Sequence, residues 1–491
     1  MDAFVFITST GRPGQAESEV DRHRIRRQAM RGMAIARRAK GDYGQHNRRQ
    51  LPLFLEPTAS TVNENTSLQL ELFNSALEVA HMVPSPLSAQ GYELAKLTYG
   101  FELLSLLALA SVHLSRASVR VLASSPTRLQ KLVQLRHPSW LDFVPARYAE
   151  SRLLQAAVDC TLARAHRSLH PDSGISETAV VNLYLKALSQ VQEALGDKLE
   201  RRWARADVLC AIKILAFYEF LQFSQSAQWL HHIKGAQKLM RLRGPENYST
   251  DFEQQMLMSQ TGTIFHESMS IGEDCFLEEL KWKALLSSIA AVERPTTIIK
   301  NLNCHPVLSS LWIHASPAAR LLRQTSVCIN GTGANDPGTI LQLTLEAYQT
   351  RQNLLTWRED FIKFAAELQP DWHSSRLREF LGVSFAVQIV LNRLIIALQP
   401  RAAAARTFEN ETQAFADRII VLCHEATEES LPIFNMLLAE KMVIASAAKQ
   451  SEDDWMWAVS GETYSTCQGI QCIPATIFEK WYIALGRRDV D

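Results

Sequence analysis

Apolar residues recur along most of this chain at three- and four-residue spacing. That is the period of a helix with one buried face, so helices are predicted nearly throughout. In 149–169, Leu153, Leu154, Ala157, Val158, Leu162, Ala165 and Leu169 form one stripe. Leu183, Tyr184, Ala187, Leu188 and Val191 repeat the device in 180–195. The stretch 203–223 is apolar on almost every side, the pattern of a helix packed from several directions. In 227–243, Trp229, Ile233, Ala236, Leu239 and Met240 share a face. Short loops join these four segments, which implies antiparallel neighbours. Further helices are predicted at 68–82, 92–122, 276–292, 307–329, 339–357, 374–398, 408–426, 431–449 and 475–485. The polar, Ser/Thr-containing 246–270 is expected to be a loop. Only 1–10 suggests a strand, and the helix lengths vary too much for a solenoid repeat. The predicted fold is all-α: a large array of antiparallel helices behind a short basic N-terminal arm.

Charge divides the chain in the same place. Residues 1–62 carry eleven Lys/Arg against six Asp/Glu, while the whole chain is formally neutral, so the remainder is mildly acidic. Arg22 to Arg49 holds ten Lys/Arg and one acid, Asp42. Residues 1–62 therefore read as a basic, partly disordered arm and linker, and 63–491 as an all-helical domain. Within the arm, Arg22, Arg24, Arg26, Arg27, Arg37, Arg38 and Lys40 are candidates for a nuclear-import signal or for phosphate contacts. A plain solvated leader accounts for the same composition. The longest apolar stretch singled out in the sequence, Phe101–Val112, is too short to span a bilayer, and no membrane association is expected.

The stretch Trp229–Pro245 organises the helical part. Gly235 and Ala236 are small enough to admit a second helix closely, and Arg241 and Arg243 suit the negative end of the helix dipole. Gly244 accepts a left-handed cap and Pro245 cannot continue the ladder. A buried helix with Tyr218-Glu219, then W-x3-I-x-G-A-x2-L, then R-x-R-G-P, resembles the central region of the fungal-specific transcription factor domain. The residues carrying this motif are Trp229, Ile233, Gly235, Ala236, Leu239, Arg243, Gly244 and Pro245. The resemblance covers roughly 130–490 and is clear over 150–245. An F-V-F-I-x-S start followed by R-I-R-R-x-A-M and a basic tail also resembles the leader of many such regulators that lack a zinc module.

This resemblance implies a nuclear transcription regulator acting on a metabolic or secondary-metabolite gene set. It implies other transcription proteins as partners, DNA contact that is indirect or weak through the arm, and no cofactor. It leaves room for a small-molecule effector and a homodimer. The alternatives are a helical interaction scaffold without DNA contact and, less favoured, a biosynthetic enzyme.

Catalytic and metal-binding patterns do not emerge. The family's binuclear zinc cluster needs six closely spaced thiolates, yet the first cysteine of this sequence is Cys160. The eight cysteines sit mostly alone on apolar faces, as reduced core thiols do. Cys467 and Cys472 are the nearest pair and read as a loop thiol pair or coincidence. His166 and His170 share a helix face but lack the glutamate of the H-E-x-x-H device. His231 and His232, adjacent on a helix, point about 100° apart, so one packs while the other meets solvent. Asn330–Gly338 is glycine-rich without the Lys-Ser/Thr ending of a phosphate cradle and is expected to be a loop. No nucleophile–base pairing is visible, and no metal is expected. Trp203, Phe217, Tyr218, Phe220, Phe223 and Trp229 converge on two helices, as core packing or as the wall of an apolar pocket.

Overall fold

The computed structural model describes residues 86–110, 129, 139–172, 174–197, 199–222, 228–291, 305–331, 337–367, 373–428, 432–460, 465–467 and 470–486. All belong to one unit, Gln69–Asp491. The basic arm, the helix expected at 68–82 and most of the 330–338 loop lie outside the described residues.

Helix α1 spans Pro86–Tyr99. After short helical segments at 103–110 and 140–147, α2 runs Arg152–Leu169 from a Ser151 cap whose hydroxyl accepts the Leu154 N–H at 3.3 Å. Helix α3, Glu177–Gly196, starts the same way on Ser176. Each cap satisfies one of the four backbone donors that a helix start leaves unpaired. Helix α4 is Ala206–Phe220, every residue of which from Val208 to Phe220 is buried, and α5 is Gln228–Arg243. Neighbours α2–α3 and α4–α5 pack along their lengths, and α2 also packs on α4. Long contacts across short connections leave only the antiparallel arrangement.

The expected loop at 246–270 is instead a 21-residue helix, α6, Asp251–Ile271, most of it buried. Thr250 and Glu253 form its capping box, and Gly272 closes it in the left-handed region (φ 73°). Ser, Thr, Gln and Met fill several faces of this segment, so no apolar stripe marks it. The T-x-x-E start was the legible signal.

Helices α7 (Leu280–Ala291), α8 (Pro306–Ala315) and α9 (Pro317–Ile329) follow. The single helix expected at 307–329 is thus two, because Pro317 has no N–H for the Ile313 carbonyl. The Ser316 hydroxyl donates to that carbonyl instead, at 3.2 Å. Helix α10, Pro337–Glu367, outruns its predicted end by ten residues. Then come α11 (His373–Leu398), α12 (Ala405–Glu428), α13 (Pro432–Gln450) and an unpredicted short α14 (Glu452–Ser460). An unpredicted hairpin, β1 Ser465–Cys467 with β2 Ile470–Cys472, pairs Ser465 with Cys472 and Cys467 with Ile470. Cys467 and Cys472 are therefore strand residues in offset register rather than loop thiols. Helix α15, Ala475–Ala484, ends the described chain.

Helix α11 is the axis of the second half, touching α8, α9, α10, α12 and α13. The Ile473 N–H donates to its Ala397 carbonyl at 2.9 Å, tying the hairpin's exit to its C-terminus. By length and composition, Leu377–Leu398 could cross a membrane, more so than Phe101–Val112, but 94% of that window is buried inside the protein. Buried Gln388, Asn392 and Arg393 sit in the same helix, as suits a core element with polar partners.

Candidate functional site

Helices α4, α5 and α6 and the turn at Trp140 enclose the most distinctive chemistry among the described residues. At mid-α4, surrounded by apolar neighbours, stands Lys213, 6% exposed. Its Nζ donates to the Met256 carbonyl (3.0 Å), Ser259 Oγ (2.9 Å) and Gln260 Oε1 (3.0 Å), all on α6. It also lies 5.0 Å from the centre of the Trp140 ring. These three acceptors are neutral, and no carboxylate forms an ion pair with Lys213 among the described residues. Burial without a counter-charge disfavours the ammonium and pulls its pKa from 10.5 down to about 7.

Beside Lys213 is a small, partly open cavity of about 20 Å³, bordered by Trp140, Phe217, His232, Gln260 and Thr263. That is room for one or two water-sized groups. His232 is held neutral: burial lowers its pKa to about 4, and its Nε2 lies 3.0 Å from the Tyr184 hydroxyl. His231 is exposed, so the two histidines divide between packing and solvent.

The Tyr218-Glu219 pair lies one to two turns farther along α4. Tyr218 stacks on Tyr184 of α3, ring centres 4.2 Å apart, and accepts from Arg164 Nη2 of α2 at 3.1 Å. Arg164 in turn grips Glu177 at the start of α3 with two bonds of 2.6 and 3.2 Å. Burial raises the Glu219 carboxyl, opposed by a hydrogen bond from Tyr184. One polar network thus joins α2, α3, α4 and α5.

The motif residues of α5 separate into two groups. Trp229, Ile233, Ala236 and Leu239 are buried. Gly235 is not in a close approach: a Cβ built there meets nothing within 4 Å. In R-x-R-G-P, Arg241 is exposed and reaches Glu279 at 2.9 Å, whereas Arg243 is 3% exposed and paired with buried Glu253. Glu253 is also the capping-box residue of α6, so the second arginine binds the end of α5 to the start of α6. Gly244 takes φ 78°, as glycine readily does, and Pro245 opens a single turn before Tyr248.

A second buried ionic centre, unmarked in the sequence reading, lies in the other half. Arg393 of α11 bonds Glu409 through Nη2 (2.8 Å) and Nε (3.3 Å), and Ser451 through Nη1 (2.7 Å). Trp455 and Trp481 lie 4.6 and 5.5 Å from its guanidinium. Lys213 and Arg393 shared one sequence signal, a lone cation inside an apolar helix.

Among the other candidates, His166 lies 3.0 Å from the Gly100 carbonyl, with the His170 ring 5.1 Å away. No set of three or more His, Cys, Asp or Glu among the described residues is arranged to hold a metal. Of the converging aromatics, Trp203 is half-buried, Phe217, Tyr218, Phe220 and Trp229 are core, and Phe223 lies outside the described residues.

Among the comparisons with known proteins, one family model matches most of the chain. The model of the fungal specific transcription factor domain matches residues 103–438. The uncharacterized protein AN5342 of Emericella nidulans is 32% identical over 174 residues, 35% of this chain and 36% of that protein. The match therefore spans about a third of the length of this curated relative. No solved structure matches.

Proposed function

From the premise that this chain belongs to the fungal specific transcription factor domain family, we propose that it is a nuclear regulator of a metabolic or secondary-metabolite gene set. The single observation that carries the reading is the family match across 103–438, which takes in the Lys213 centre and the Arg393–Glu409 pair. In this reading the helical body is a regulatory platform that receives other transcription proteins. The arm at Arg22–Lys40 supplies nuclear import and loose phosphate contact, since clustered cations suit acidic receptor grooves and nucleic acid alike. No catalytic role is part of it.

A transcript comparison between a strain lacking the gene and its parent tests the regulatory role. The expected result is a coherent change confined to a metabolic gene set, restored by the wild-type gene. An unchanged transcript profile under every growth condition that expresses the protein would overturn the reading.

A further inference from the structure

The geometry points to a binding site for a small organic monocarboxylate at the Lys213 cavity. The ligand's head would lie among Lys213, Trp140, Gln260 and Thr263, and its short apolar tail against Phe217 and Ile233. Three observations carry this. The first is charge. Lys213 is a buried cation whose hydrogen-bond partners are neutral, and no acid among the described residues lines the cavity. A cation in an apolar interior normally has a counter-charge, and an anion entering from solvent would supply it.

The second is the supply of donors. The Trp140 indole is 1% exposed, and its Nε1 has no partner among the described residues. Gln260 spends its amide oxygen on Lys213, which leaves its NH2 group as a donor at the cavity wall. The Thr263 hydroxyl borders the same space. The three N–H bonds of Lys213 are already taken by α6, so the ammonium contributes its charge, while the Trp140 N–H, the Gln260 NH2 and the Thr263 hydroxyl suit the two oxygens of a carboxylate.

The third is the wall. Phe217, Ile233 and Ala236 face the cavity from α4 and α5, and the room of about 20 Å³, enough for one or two water-sized groups, limits the ligand to the smallest carboxylates, with acetate favoured over propionate and butyrate. An inorganic anion would use the donors and leave the apolar wall without a partner. Because α4, α5 and α6 all meet here, occupation would bear on how the three helices hold together. The inference concerns binding by the purified chain and does not depend on the transcriptional reading.

Thermal unfolding and calorimetry of the full chain test it, with sodium acetate, propionate and butyrate against sodium chloride at equal ionic strength. The expected result is saturable stabilisation by a short carboxylate and none by chloride. Affinity should weaken by about tenfold or more in Lys213→Met, which keeps the side-chain volume, and measurably in Trp140→Phe, which keeps the ring without its N–H. Stabilisation that is non-saturable, or undiminished in Lys213→Met, overturns the site. Equal saturable stabilisation by chloride overturns the assignment to a carboxylate.

Discussion

Lys213 sets the residue-scale behaviour of the site. Folding places its amine where the charged form is disfavoured, with a pKa of about 7 against an ordinary 10.5. Between those values the unfolded chain binds more protons than the folded one, so this group makes stability rise with pH from about 7 upward. Its penalty is fully present at and below pH 7. The buried thiols of Cys160 and Cys210 are pushed up by burial and act in the opposite sense from about pH 8.5. Relative to the wild type, Lys213→Met should therefore fare best at pH 6–7, the loss of its three hydrogen bonds to α6 being a pH-independent offset. That advantage should shrink toward pH 9. Denaturant titrations of both proteins across this range check the prediction, and a pH-independent difference would remove the charge argument. Gly235 supports a second prediction. With open space at its Cβ position, Gly235→Ala should stabilise α5 by about 0.5–1 kcal/mol in a thermal melt, since glycine is a poor interior helix residue. A loss of stability would restore the close helix contact read from the sequence.

At the scale of elements, the α5–α6 junction rests on a buried ion pair. Arg243 and Glu253 are each about 1% exposed at the side chain, and Glu253 also caps α6. Removing one partner strands the other charge in the core, so Arg243→Ala should cost about 3–5 kcal/mol by denaturant unfolding. Thr250→Ala removes only the cap hydroxyl and should cost about 1 kcal/mol. Comparable losses in the two variants would mean that the ion pair adds little. In the other half, truncating Trp455 against the Arg393 guanidinium opens a cavity and should cost about 3–5 kcal/mol.

For the whole molecule, the charge distribution predicts how the chain would meet DNA. The arm carries the cationic excess and the remainder is mildly acidic, so the chain by itself is expected to hold DNA loosely and without regard to sequence. Selection from random duplexes at about 150 mM salt should return no defined motif. Binding at low salt should weaken steeply as salt rises. Substituting Arg24, Arg26, Arg27, Arg37 and Arg38 with alanine should leave a tagged protein in the cytoplasm, as fluorescence microscopy would record. Nuclear signal that survives the substitutions would exclude the arm as the import signal.

What the sequence determined by itself was periodicity and punctuation. The stripes of α2 and α3, the all-round apolarity of α4 and the Gly244-Pro245 stop follow from local residue patterns. So did the family, whose motif combined a Tyr-Glu pair with R-x-R-G-P. Local pattern failed where both faces of a helix are buried with polar side chains: α6 read as a loop, but its Ser259, Thr261 and Ser268 hydroxyls donate to carbonyls of the same helix, and Ser259 and Gln260 also accept from Lys213 of α4. Pro317 was visible in the sequence, but the break it causes depended on Ser316 satisfying the freed carbonyl. Which of two arginines two residues apart would be buried could not be read from spacing, because the answer is Glu253, ten positions away. The same holds for Lys213. Its place in an apolar helix was plain, but its neutral surroundings come from α6 and Trp140, brought there by tertiary packing alone. Periodicity reports which face of a helix is apolar, and only the assembled helices decide what each buried charge meets.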